Sequence, residues 1–264
     1  MSDGRRELGP LVPELFAIIG GMLMAFIVAL PLNTLIGRGV APELVAPIVA
    51  PLVEEPTKVL GVIFLAILYP AAIASKTRGM VLGAMSGLGF GFLESVFYVL
   101  QGADPFIRVW TIFSHMIWSS IVGIGLAYVA TKDFDRSSFS VGLGGFFGRA
   151  LSTGFLLFLV TSMLFHGLHN AAGTFIYGDA GLLVVIFMDL IALFVLLWYR
   201  AHLPEDLKGA DVTSVALGRF ALRPASSGPA PTAAPDKGTR FCPYCGAPVS
   251  QNAGFCSGCG RKLK

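Results

Sequence analysis

Six apolar runs, near residues 11–31, 42–73, 80–101, 107–130, 150–177 and 181–199, decide what solvent this chain folds in. A bilayer core of about 30 Å takes roughly 20 apolar residues of helix per crossing. Inside it every backbone amide must be bonded within the protein, which a helix does by itself. The expected fold class is all-α: a polytopic transmembrane helical bundle of about six spans. The second run is longer than one crossing needs and contains Pro47, Pro51 and Pro56, which remove backbone donors and should kink it. Residues 141–149, rich in glycine and ending in Arg149, read as an interfacial stub or as half of an extra crossing. Dividing both runs would bring the count to eight. The first run is too long and too poorly terminated for a cleaved signal peptide, so it is kept as a span.

Charge supports this and sets an orientation. Only 13% of residues are charged, where a soluble domain carries about 25%. Residues 1–200 carry a net charge of −1 and residues 201–264 one of +4, so the mild basicity belongs to the tail. No concentrated basic face exists for nucleic acid. Arg5 and Arg6, Lys76 and Arg78, Lys132 and Arg136, and Arg200 fall at alternate loops. The positive-inside bias then puts both termini in the cytoplasm of a multi-pass cell-membrane protein.

Ionisable groups within a bilayer cost roughly 2.5–3.5 kcal/mol each on insertion scales, which makes them functional candidates. Glu54, Glu55, Lys58, Glu94, His115, His166, His169 and Asp189 all lie in apolar runs. Counted at about 1.5 Å per residue, Glu54, Glu55, Glu94, His115 and His166 fall within roughly 10–18 Å of the outer face, on four helices. Lys58 is i+4 from Glu54 and i+3 from Glu55, so it can neutralise one glutamate and leave the other available. Gly83, Gly87 and Gly91 form a small-residue stripe suited to close helix packing, and Glu94 lies one turn beyond. His166, His169 and Asn170 share one helix face. Glutamates and imidazoles at one depth can activate water, as base and oxyanion donors or around a metal. Asp189 reads as structural, partnered by Arg149 or a hydroxyl.

Beyond residue 200 the periodicity ends. Residues 201–240 read as a flexible linker, dominated over 224–236 by Pro, Ala and Ser. All four cysteines follow, as Cys242-Pro243-Tyr244-Cys245 and Cys256-Ser257-Gly258-Cys259, each knuckle trailed by glycine. Four thiolates at this spacing make a closed tetrahedral zinc site. Residues 241–264 are thus expected to be a zinc ribbon holding one structural zinc, with a docking role toward a cytoplasmic protein partner. A predicted cytoplasmic tail disfavours disulfides.

In residues 45–175 the chain resembles the PrsW-type intramembrane proteases, relatives of the CAAX prenyl proteases. The resemblance rests on Glu54-Glu55-Pro56-Thr57-Lys58, on Gly89-Phe90-Gly91-Phe92-Leu93-Glu94 followed by Tyr98, on Arg108, His115 and Gly123, and on His166 with Asn170. Ser95 stands where Asn is expected, Pro56 is unusual, and His169 is an extra imidazole. The resemblance implies cleavage of peptide bonds in or near the bilayer, in anti-sigma-factor-like or other signalling proteins. It implies a catalytic set of Glu54, Glu55, Glu94, His115, His166 and Asn170, supported by Lys58 and Arg108, and the extra imidazole of His169 reads as a further supporting residue beside them. Either glutamate serves as the base, with or without a second divalent metal, zinc, at the intramembrane site. The rivals are an ion or proton transporter using the same carboxylates, which would show a repeated Glu-Glu segment, and an inactive scaffold working through its ribbon. Residues 1–200 form the expected protease domain.

Overall fold

The computed structural model describes residues 11–73, 75–131, 142–176, 178–205, 239–241, 248–250, 253–255 and 263. The chain forms two units, Met1–Arg219 and Phe220–Lys264. In the first, α1 (Val12–Gly37) is continuous but carries a π turn over Ala25–Ala29. A turn at Pro42–Leu44 and a second π turn at Val45–Val49 lead into α2 (Ala50–Lys58) and α3 (Leu60–Leu68). Next come α4 (Lys76–Leu100), α5 (Pro105–Thr131), α6 (Gly142–Ser152), α7 (Phe155–Phe175) and α8 (Gly178–His202). Among the described residues, five helices are long and apolar enough to cross a membrane: α1, α4, α5, α7 and α8.

The second apolar run breaks where its prolines were expected to kink it. Pro56 has no amide proton for the Leu52 carbonyl, and helical geometry fails two residues later at Val59 (φ −91°, ψ 6°). Regular bonding resumes with the Ile63 amide to Val59. The glycine-rich stretch before the fifth run is a separate helix, α6. At about 16 Å it is too short to cross, and it is cut from α7 at Gly154, whose φ of +70° only glycine adopts without strain.

The centre of the bundle is α5: 78% of its apolar window is buried, against 44% or less for the other four long helices. The glycine stripe explains how α4 reaches it. A Cβ on Gly79 would lie 2.2 Å from the Gly123 carbonyl oxygen, on Gly83 2.1 Å from that of Ser119, and on Gly87 2.3 Å from that of His115. These separations suit a hydrogen atom and no carbon, so the backbones of α4 and α5 touch. At the N-terminal end of α4, Lys76 donates to the Leu203 carbonyl, the Lys76 amide bonds Glu205 at 3.0 Å, and Tyr128 reaches Pro204 at 2.7 Å. Residues 203–205, expected to begin the linker, therefore lie packed against the bundle.

In the second unit, β1 (Thr239–Phe241) pairs antiparallel with β2 (Pro248–Ser250), Arg240 facing Val249. Val249 and Leu263 share a small core. Cys242, Cys245, Cys256 and Cys259 lie outside the described residues.

Candidate active site

Three carboxylate–histidine pairs, from five helices, meet around Trp118. On α2, the i,i+3 spacing brings Lys58 Nζ to 2.5 Å from Glu55 Oε1, while Glu54 Oε2 stands 3.8 Å away. Glu55 is fully enclosed and also accepts from Ser162 at 2.6 Å and from His166 Nδ1 at 2.7 Å, both on α7. Ser162 and His166 are one turn apart, so a single helix face presents both. The lysine has little else to neutralise it: its ammonium lies 4.9 Å from the Phe90 ring centre and 5.3 Å from that of Trp118.

Glu54 differs from its neighbour. Its Oε1 accepts from Asn33 of α1 at 2.9 Å, and its Oε2, although buried, makes no hydrogen bond among the described residues. That oxygen faces His166 Nε2 at 3.9 Å. Because the anionic Glu55 takes the proton on Nδ1, Nε2 of a neutral His166 is left as an acceptor.

The second pair joins α4 to α5. His115 Nε2 meets Glu94 Oε2 at 3.0 Å, and Arg108 donates to the same oxygen at 2.7 Å while its guanidinium lies over Tyr98. Gly91 makes this possible, since a Cβ there would lie 3.0 Å from the imidazole. His115 Nδ1 is buried without a hydrogen-bond partner among the described residues. In the third pair, Asp189 of α8 takes His169 Nδ1 at 3.1 Å, together with the Ser114 hydroxyl at 2.7 Å and Trp110 Nε1 at 2.8 Å. One carboxylate thus ties α5, α7 and α8, and a hydroxyl is indeed among its partners. Trp118 stacks on His166 with ring centres 4.5 Å apart and stands near His115 (5.2 Å) and His169 (5.0 Å).

A cavity of about 220 Å³ reaches this cluster from the α1 side, and Glu54 and Glu94 line it. Glu55, His115 and His166 sit behind that lining, so the glutamates and histidines surround the cavity less evenly than the sequence suggested. Asn170, expected as an oxyanion donor, gives its amide to the Ala46 carbonyl at 2.9 Å. That bond ties α7 to the turn preceding α2. Sequence reasoning passed over Asn33, Ser162, Trp118 and Ser114. Asn33 is the one carboxamide in α1, Ser162 is i−4 from His166, and Ser114 and Trp118 flank His115. Each signal was present, but small polar and aromatic residues are too common in such helices to single out.

Across residues 10–199, the model of the PrsW family of intramembrane metalloproteases matches. The chain belongs to this family. As a PrsW-family member it is an intramembrane peptidase embedded by several spans, and its substrates are membrane proteins. A zinc-ribbon domain matches residues 241–263. No curated protein and no solved structure matches the chain.

The family description brings a metal with it, and the side chains of this PrsW domain test the fit. A catalytic zinc takes three protein ligands and keeps one open position. Here the free carboxylate oxygen of Glu54 and Nε2 of His166 are the two donors that face each other, and among the described residues no third converges on them. His115 Nε2 is held by Glu94, and the Lys58 ammonium stands 3.8 Å from Glu54 Oε2, where a cation would be repelled. Among the described residues, no three His, Cys, Asp or Glu side chains gather as a metal site. As arranged, the set does not fit a three-ligand zinc.

Proposed function

We propose that this protein hydrolyses peptide bonds of membrane-associated signalling proteins, of the anti-sigma-factor type, with Glu54 as general base. The observation that carries the choice of Glu54 over Glu55 is that Glu54 lines the cavity and its Oε2 makes no hydrogen bond among the described residues, whereas Glu55 lies behind the lining with both oxygens engaged by Lys58, Ser162 and His166. A water held by Glu54 Oε2 and His166 Nε2, 3.9 Å apart, makes ordinary hydrogen bonds of about 2.8 Å to both. Glu54 removes one proton as the water oxygen attacks the scissile carbonyl, and His166 accepts the other hydrogen and fixes the attack direction. Glu54 then returns its proton to the departing amine nitrogen, so each cycle consumes one water and leaves the enzyme unchanged. Glu55 and Trp118 hold the His166 ring by hydrogen bond and by stacking. Glu94, His115 and Arg108 form a second polar wall, and Asn170 serves as oxyanion donor once substrate displaces its bond to Ala46.

Lys58 pairs closely with Glu55 at 2.5 Å and stands off from Glu54 at 3.8 Å, a division of labour between adjacent carboxylates. The tail binds one structural zinc through Cys242, Cys245, Cys256 and Cys259 and docks a cytoplasmic partner, with both chain termini on that side. The test is cleavage of synthetic transmembrane peptides by the full chain in lipid nanodiscs. Glu54→Gln should abolish cleavage while the protein keeps its helical content and unfolding midpoint. Full activity in Glu54→Gln would remove the base from the mechanism.

A further inference from the structure

The cavity that Glu54 and Glu94 line owes its walls to a packing contrast between α1 and α4. The two helices touch backbone to backbone at two points: a Cβ on Gly21 would lie 2.1 Å from the Ser86 carbonyl oxygen, and one on Gly89 2.1 Å from that of Ile18. Just past these contacts the π turn of α1 begins, and there the 220 Å³ cavity opens between α1 and the C-terminal part of α4. A π turn fits one more residue than an α turn and is a recurrent feature of functional sites. Its two buried alanines, Ala25 and Ala29, line the cavity, together with Phe26, Phe90 and Phe97. At the mouth, Phe26 meets Phe97 edge to face at 5.7 Å, and Phe26 is 42% exposed on the outside of the bundle.

We propose that this cavity receives the apolar side chain beside the scissile bond of a membrane-spanning substrate, and that Ala25, Ala29 and Phe97 set the size it accepts. The proposal rests on Glu54 being the base, because Glu54 lines the same cavity. Size limits the occupant. The volume falls below the roughly 300 Å³ at which small-molecule pockets begin, and a helix about 10 Å across does not enter. The substrate is therefore unwound locally and offers one side chain to the cavity while its carbonyl meets the water on Glu54. The alanine and aromatic walls favour an apolar side chain of limited size, and the carboxylates of Glu54 and Glu94 on the same lining disfavour an acidic one. Selection by such a wall is worth about 10–200-fold per methylene.

Two substitutions move the size limit in opposite directions: Ala29→Leu fills the cavity and Phe97→Ala enlarges it. The full chain in nanodiscs is given transmembrane peptides that differ only at one central position, Ala, Val, Leu or Phe, and mass spectrometry reads the bonds cut. Ala29→Leu should lower kcat/KM for the Leu and Phe peptides about tenfold or more relative to the Ala peptide. Phe97→Ala should raise the Phe peptide relative to Leu. A second measurement needs no cleavage: in the Glu54→Gln protein, a benzophenone-bearing phenylalanine in place of Leu30, another lining residue, should cross-link the Leu peptide. Ala29→Leu should suppress that cross-link. Unchanged ratios in both variants, with no suppression, overturn the cavity assignment while leaving Glu54 as base. Suppressible cross-linking without cleavage by the wild-type chain overturns the base and keeps the cavity. Neither cleavage nor cross-linking overturns both.

Discussion

Replacing Gly87 by alanine tests how closely the chemistry depends on the α4–α5 contact. The new Cβ would stand 2.3 Å from the His115 carbonyl oxygen and 2.9 Å from the Met116 Cα, both backbone atoms that no rotamer change can move aside. Cβ contacts with such atoms do not fall below 3.0 Å, so the helices must part by at least about 0.7 Å at that level. His115 is the residue at the point of contact, and its 3.0 Å bond to Glu94 spans the same two helices. Overpacking of this kind costs about 1–3 kcal/mol, and a 1 Å misplacement of reacting groups costs about 10²-fold in rate. Gly173 on α7 provides the control, because a Cβ there meets nothing within 4 Å. Gly173→Ala should be neutral or stabilise by up to about 1 kcal/mol through helix propensity. The assay pairs unfolding in sodium dodecyl sulfate titrations with peptide cleavage in nanodiscs. Gly87→Ala should lose both stability and most activity. If it matches Gly173→Ala in both readouts, the backbone contact does not position His115.

Other outcomes follow from the ion pair, the metal and the third carboxylate. Lys58→Met leaves Glu55 buried without its cation and should destabilise by about 3–5 kcal/mol; Lys58→Met combined with Glu55→Gln should lose less than the sum, and additive losses in a double-mutant cycle would contradict the pairing. Metal analysis of the full chain should find one zinc, lost when Cys242 and Cys245 become serine. A residual zinc that His166→Ala then removes would show a metal at the membrane site and move the mechanism to metal-bound water. Asp189→Ala strands three donors, from Trp110, Ser114 and His169, and should lower the unfolding midpoint more than Asp189→Asn, which keeps an acceptor oxygen.

What was legible in the sequence was whatever depends on composition and local spacing. Apolar runs of membrane length impose helices because lipid offers a backbone no other partner, so the all-α bundle followed from hydrophobicity alone. The i,i+3 and i,i+4 offsets of Glu54, Glu55 and Lys58 limited the lysine to one or both glutamates, and the four-residue glycine repeat announced a close helix contact. Which glutamate the lysine takes was undecidable there, since both offsets are permitted on one helix face. The tertiary structure decided it: Ser162 and His166 on α7 converge on Glu55 and hold it against Lys58, while Asn33 reaches Glu54 from α1 and leaves one oxygen free. The same holds for Asn170, whose helix position is fixed by sequence but whose partner, Ala46, lies 124 residues away. Spacing along a chain fixes only which side chains share a helix face; what each face meets depends on how helices pack, and here glycine contacts and a π turn set that packing.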